Sequence, residues 1–257
     1  MSDTLHILPS DTYFRYRPDT DEALPTVVHV PGFNEDALSP APFALRLARA
    51  GFQCVALNPP WRDTPDLNSP SPAILFDLLT EGDVLLRAVL EELRADPGTQ
   101  SDWLALTGVS LGGMFVARTL AHEEPHPFRA AAMVLSTGDW SFMPRTTLDA
   151  FPDLRAVIPP ATLLMIEETL RATSPIATPQ RFPPTPLLLI NADRDPRLPL
   201  AAAQRFYDAL RPVYDAAGVA EALHFDVHQG ERHEFRRAMQ RQVREWLVGE
   251  WRGRGQG

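Results

Sequence analysis

Ser110, Asp195 and His233 are the residues whose types and surroundings point to chemistry. Ser110 lies in Trp103-Leu-Ala-Leu-Thr-Gly108-Val-Ser110-Leu-Gly112-Gly113, where an apolar run of strand type leads into Gly-x-Ser-x-Gly and a helical pattern follows. A serine hydroxyl attacks a carbonyl only where it is exposed and a base can reach it. A sharp turn from strand to helix meets both needs, because it lifts the serine above the sheet in a strained backbone conformation. Cβ atoms at Gly108 and Gly112 would collide as strand and helix close on each other, so both positions call for glycine. The same turn sets Ser110 at a helix N-terminus, where the Leu111 amide is free to hold an oxyanion. Taken alone, the motif describes a capped strand-to-helix turn equally well. The flanking strand and helix, and the partners further along, favour the nucleophile.

A serine nucleophile also needs a base, a group that orients the base and a second oxyanion donor. The acid is expected after a late strand. There the chain reads Leu188-Leu-Ile190-Asn-Ala-Asp193-Arg-Asp195-Pro-Arg-Leu-Pro199 and offers two aspartates. Asp195 is favoured, because Pro-Arg-Leu-Pro turns the chain into a helix just beyond it. Asp193 stands nearer the strand end, and either residue could instead hold a turn together. The base is expected between the last strand and the last helix, in Phe225-Asp-Val-His228-Gln-Gly-Glu-Arg-His233-Glu234. His233 is placed to open the final helix, whereas His228 sits at the strand end and reads as structural. His29, His122, His126 and His224 have no such placement. The second oxyanion donor is expected in Val28-His-Val-Pro31-Gly32-Phe33, with the Phe33 amide paired to that of Leu111. Trp140, Phe142 and Met143 open an insertion beside the nucleophile. They either line a shallow acyl pocket or pack the insertion onto the core.

The elements that must position these groups alternate. Residues 1–25 read as an edge hairpin or arm, and Pro25–Val30 as a buried strand. A helix follows, with Ser39 as N-cap, Pro40 at its first position and Gly51 as its stop. Gln53–Leu57 is the next strand, and Asn58–Pro70 a proline-rich loop. A long helix over about Pro72–Arg94 carries a stripe that includes Leu75, Leu78, Leu79, Val84, Leu85, Val89 and Leu93. After the serine turn come a strand at Phe128–Ser136 and then residues 137–183. That stretch breaks the alternation with short helical patterns at Arg145–Phe151 and Ala161–Arg171 among many prolines, and reads as a cap within a single domain spanning 1–257. The strands Pro186–Ile190 and Ala222–Val227 alternate with helices at Leu200–Leu210 and His233–Trp251. Such alternation implies a mostly parallel sheet whose C-terminal edge gathers the reactive groups.

Composition narrows the range of functions. The 257 residues are 44% hydrophobic and 22% charged, enough for one sizeable α/β core. A net charge of −9 argues against nucleic acid or an anionic membrane surface as the main partner. There is no apolar run of membrane-spanning length and no secretory pattern at the N-terminus, so a cytoplasmic location is expected. The single cysteine, Cys54, excludes an internal disulfide and a cysteine-rich metal site. It lies in a strand-like run and reads as a buried apolar group.

Gly108-Val-Ser110-Leu-Gly112, Asp195-Pro-Arg-Leu-Pro199, Gly230-Glu-Arg-His233-Glu and Pro31-Gly32-Phe33 together resemble the α/β-hydrolase superfamily over nearly the whole chain. Pro42–Phe52 and Ala201–Tyr207 resemble its bacterial esterases of the dienelactone-hydrolase and prolyl-oligopeptidase-like type. Pro31 stands where the family often has histidine, which leaves the Phe33 and Leu111 amides in place. A serine nucleophile departs from the dienelactone hydrolases proper, which use cysteine, and from the dehalogenases, which use aspartate. The resemblance implies hydrolysis of small to medium carboxylic esters through an acyl-enzyme, with no cofactor and no metal. The expected partner is a small-molecule ester, and self-association into a homodimer is left open. A peptidase or thioesterase with the same triad, acyl transfer to an acceptor other than water, and a non-catalytic binding protein of the same fold are the alternatives.

Overall fold

In the central strands, successive side chains face opposite sides of the sheet, and both sides are apolar. Val28, Val30, Leu104 and Leu106 fall in one core cluster, and Val27, Ala105 and Val109 in the other. A strand buried on both faces needs helices above and below it. The computed structural model describes residues 4–63, 72–122, 125–150, 153 and 157–253. It contains an eight-stranded sheet in the order β1-β2-β4-β3-β5-β6-β7-β8. The strands are β1 (Leu5–Pro9), β2 (Tyr13–Pro18), β3 (Leu24–Val30), β4 (Gln53–Leu57), β5 (Thr99–Val109), β6 (Phe128–Val134), β7 (Leu187–Ala192) and β8 (Leu223–His228). β1 and β2 form the antiparallel arm, β2 pairs antiparallel with β4, and every later pairing is parallel.

Helices α1 (Ala41–Arg49) and α7 (Arg237–Gly253) cover one face through Phe43, Leu47, Met239, Val243 and Leu247. Helices α2 (Pro72–Ala95), α3 (Leu111–Leu120) and α6 (Leu200–Ala216) cover the other through Leu79, Phe115 and Phe206. Between β6 and β7 run α4 (Met143–Ala150), α5 (Pro160–Thr173) and two short 3-10 turns.

The structure moves four of the sequence expectations. Ser39 does not cap α1: Pro40 holds that position, and the Ser39 hydroxyl donates to Asp36 at 2.9 Å instead. The Ser39 oxygen in turn accepts from the Asp36 amide at 3.2 Å, so the side chain is engaged in the preceding turn and not at the amides of the helix end. Val84 is 67% exposed, off the buried stripe of α2. α6 runs on through Pro212 to Ala216 and stops only before Gly218, at φ 71°. His233 precedes α7 in an irregular loop and does not open the helix. Gly51 does end α1, at φ 93°. Residues 64–71 and 151 and the side chain of Leu75 lie outside the described residues.

Candidate active site

The turn after β5 carries the nucleophile candidate. Ser110 adopts φ 54°, ψ −118°, a conformation that costs an L-residue on the order of 1–3 kcal/mol and is held by its surroundings. Its amide donates to Val134 O at 2.9 Å. A Cβ on Gly108 would lie 2.3 Å from Gly112 O, and one on Gly112 would lie 2.1 Å from Val30 O. Both glycines are therefore dictated by backbone crossing backbone. A third, Gly113, was not foreseen: a Cβ there would sit 2.4 Å from the Ser136 Cβ. The run of two glycines was visible in the sequence, but its neighbour just past β6 was not.

Two hydrogen bonds join residues far apart in the chain. His233 Nε2 is 2.8 Å from Ser110 Oγ, and His233 Nδ1 is 2.6 Å from Asp195 Oδ2. Asp195 can only accept, so the ring proton belongs on Nδ1, and Nε2 is left to accept from the serine hydroxyl. The other carboxylate oxygen of Asp195 accepts from the Arg197 and Leu198 amides at 2.8 and 3.0 Å. The Asp195 side chain is 1% exposed and that of His233 11%. Asp193 does not touch the histidine ring. Its carboxylate accepts from the Gly230 amide at 2.6 Å and so ties the β7 loop to the loop that carries His233. His228 bonds to Gln242 at 2.8 Å on the α7 side.

The loop after β3 lies alongside. Glu35 N donates to Gly32 O at 3.3 Å, and Asn34 sits at φ 58°, so Gly32–Glu35 is a tight turn. The Glu35 carboxylate reaches back and accepts from the Gly32 amide at 2.7 Å. Among the described residues, the amides of Phe33 and Leu111 have no internal hydrogen-bond acceptor. A hollow of about 310 Å³ is lined by Gly32, Phe33, Glu35, Ser110, Arg197 and His233, with His29 in its wall. His29 is 2% exposed, bonds through Nδ1 to Thr107 Oγ1 at 2.9 Å and packs edge-on to Phe43. Burial pulls its pKa down to about 3. Glu35 escaped the sequence reading, while His29, given no catalytic placement there, is a core residue at the wall of the hollow. The available signal for Glu35 was a carboxylate three residues past Gly32, the spacing of a side chain that folds back onto an amide.

Trp140, Phe142 and Met143 stand apart from this hollow. Trp140 is 1% exposed, packs in a tilted contact on Phe76 with centroids 5.8 Å apart and donates from its indole to Thr137 O at 3.2 Å. The wider hollow that it borders, about 450 Å³, is shared with Arg118, His122 and Arg181 and does not include Ser110. Met143 is half-buried against the core, and Phe142 is also half-buried. The cause lies in residues 137–141. Thr137 bonds to Ala202 O at 3.0 Å, and the fully buried Asp139 pairs with Arg205 at 2.7 Å. These contacts pin the segment to α6 and turn the indole inward. Cys54 is buried in β4, and burial raises its thiol pKa well above the usual range.

A mostly parallel sheet between helices, with a serine on a strained strand-to-helix turn bonded to a histidine and an aspartate, defines the α/β-hydrolase class. Residues 86–251 match the prolyl oligopeptidase family, and the chain belongs to it. That family points to a serine hydrolase. Among solved structures, the chain is similar to TT1662 of Thermus thermophilus, at 21% identity and a TM-score of 0.73 over 96% of this chain and 98% of that one. It is also similar to the acylaminoacyl peptidase of Pyrococcus horikoshii, at 16% identity and a TM-score of 0.64 over 95% of this chain. A puromycin-hydrolysing peptidase of Mycobacterium tuberculosis aligns at 18% identity and a TM-score of 0.63 over 96% of this chain. The chain spans 41% and 38% of the length of these two peptidases. No curated protein matches the sequence. Among the described residues, no helix is long and apolar enough to cross a membrane, and no cluster of metal-ligating side chains occurs.

Proposed function

We propose that the protein hydrolyses small to medium acyl compounds, carboxylic esters first, through a Ser110–His233–Asp195 triad. The observation that carries this reading is the pair of hydrogen bonds at 2.8 and 2.6 Å linking serine to histidine and histidine to aspartate. A module that only binds ligand has no need of this relay.

The steps follow from the geometry. Ser110 Oγ attacks the carbonyl carbon while His233 Nε2 takes its proton. Asp195 holds the ring tautomer and stabilises the imidazolium. The carbonyl oxygen, now negative, is held by the Phe33 and Leu111 amides, each a donor of the kind whose loss costs on the order of 100- to 1000-fold in rate. His233 returns the proton to the leaving group as the carbon–heteroatom bond breaks, which leaves an acyl-enzyme. Water gives its proton to His233, attacks the acyl carbon and releases the acid and free Ser110.

A second reading is favoured by the family and by the names of the two peptidases: the leaving group is an amine and the bond an amide. Residues 137–183 act as a cap in either case, and the location is the cytoplasm. A fluorophosphonate probe followed by peptide mapping tests the nucleophile. Label on Ser110 supports the reading, and a folded protein that takes no label ends it. Paired p-nitrophenyl esters and p-nitroanilides of the same acyl group then separate the two readings.

A further inference from the structure

Glu35 places an exposed carboxylate beside the proposed nucleophile. A methyl group on Gly32 would lie 3.0 Å from the Glu35 carboxylate oxygen and 3.6 Å from the Ser110 Cβ, so acid and serine flank one point. Glu35 accepts from the Gly32 amide through one oxygen, and no cation pairs with it among the described residues. The other charged groups around the hollow are Glu234, Arg197 and His233. Glu234 is bonded to Arg236 at 2.8 Å. Arg197 stands on the Asp195 loop, and His233 faces Ser110 and Asp195.

This arrangement is unfavourable for a neutral acyl group. The reaction develops negative charge on the carbonyl oxygen next to Phe33, two residues from Glu35, and a like charge on the same loop raises the barrier. A cation on the substrate reverses the sign of that term. In an aminoacyl group the α-nitrogen is about 2.5 Å from the carbonyl carbon, from standard bond lengths and angles. A protonated α-amine therefore reaches the region beside Ser110 where Glu35 waits, and a charge-assisted hydrogen bond there is strong.

We infer that the acyl group carries a free, protonated α-amine bound by the Glu35 carboxylate, so that the substrates are aminoacyl esters or amides. The inference rests on Ser110 being the nucleophile. It does not depend on whether the leaving group is an alcohol or an amine.

The experiment compares alanyl with propionyl, and leucyl with 4-methylpentanoyl, each as p-nitrophenyl ester and p-nitroanilide; the members of a pair differ only in the amine. In the wild type, kcat/KM at pH 6.5 should favour the amino member at least about tenfold. That ratio should fall as pH rises through the α-amine pKa, roughly 7.7–8.0. Glu35→Gln keeps an acceptor for the Gly32 amide and removes the charge, and should shrink the ratio about 10- to 100-fold, as expected for a lost hydrogen bond between charged groups. A wild-type ratio of one or less, or a ratio that Glu35→Gln leaves unchanged, overturns the inference and makes Glu35 a brace of the turn. Fluorophosphonate labelling of the same samples separates the failures. Label on Ser110 with no amine preference removes this inference alone, and absence of label removes the serine mechanism with it.

Discussion

Gly112 lies against Val30 so closely that a single added methyl would stand 2.1 Å from the Val30 carbonyl oxygen. The contact is backbone to backbone, so no side chain can swing away. Gly112→Ala should destabilise the protein by about 3 kcal/mol or more, beyond ordinary overpacking. Urea unfolding measures it. A change below about 1 kcal/mol would mean that α3 can lift off β3 freely.

Ser110→Ala should lower hydrolysis of p-nitrophenyl acetate by on the order of 1000-fold or more, while the unfolding midpoint stays close to wild type. The hydroxyl contributes to the relay and not to the core. Near-wild-type turnover by the folded variant would remove Ser110 from the chemistry.

Asp195→Asn should cost on the order of 1000- to 10,000-fold in kcat, because an amide no longer enforces the Nδ1–H tautomer. Asp193→Asn should cost less than about tenfold, since its oxygen can still accept from Gly230. Steady-state kinetics of the two purified variants decides the ranking, and the reverse order would assign the orienting role to Asp193.

Trp140→Ala should reduce stability by about 3–5 kcal/mol, as expected for a buried indole, and leave the ratio of short- to long-chain ester turnover within about twofold. The measurements are thermal unfolding and a p-nitrophenyl series from acetate to palmitate. A changed chain-length profile at unchanged stability would return Trp140 to the substrate pocket.

His29 links stability to acidity. Its folded pKa of about 3 lies below the ordinary 6.5, so the unfolded chain binds a proton that the native state refuses. Stability is complete above pH 6.5 and is lost as pH falls from there towards 3. Between pH 7.5 and 5 the residue should account for about 2 kcal/mol. His29→Phe should flatten that part of the pH profile relative to wild type in urea unfolding, and an unchanged slope would contradict it.

Strands and the serine turn were legible in the sequence because they depend on local pattern. β3 and β5 announce themselves through apolar runs, and Gly108 and Gly112 through the only residue type that fits between crossing backbones. Asp195 could be preferred over Asp193 from its Pro-Arg-Leu-Pro sequel alone. What escaped was set by long-range contact. Trp140 is an aromatic residue after a strand, equally suited to a pocket or to a core, and the choice fell to the Asp139–Arg205 pair 66 residues apart. Ser39 was misplaced because its hydroxyl exchanges hydrogen bonds with the amide and carboxylate of Asp36 and not with the helix amides. Glu35 carried no motif, and its meaning depends on a turn that brings it back onto Gly32.

The pairing of β3 with β5 works as a ruler. Val30 and Gly108 are register partners, and Phe33 and Leu111 each follow three residues later. The two proposed oxyanion amides thus hang from the ends of two neighbouring parallel strands, which lie about 4.8 Å apart. Slipping that register by one residue would displace one amide by a full strand step of about 3.3 Å and turn its neighbours to the wrong face. Segments hung elsewhere, such as residues 137–183, can lengthen, shrink or change composition without disturbing this measure. The measure that holds the two amides is thus insulated from change in that part of the chain.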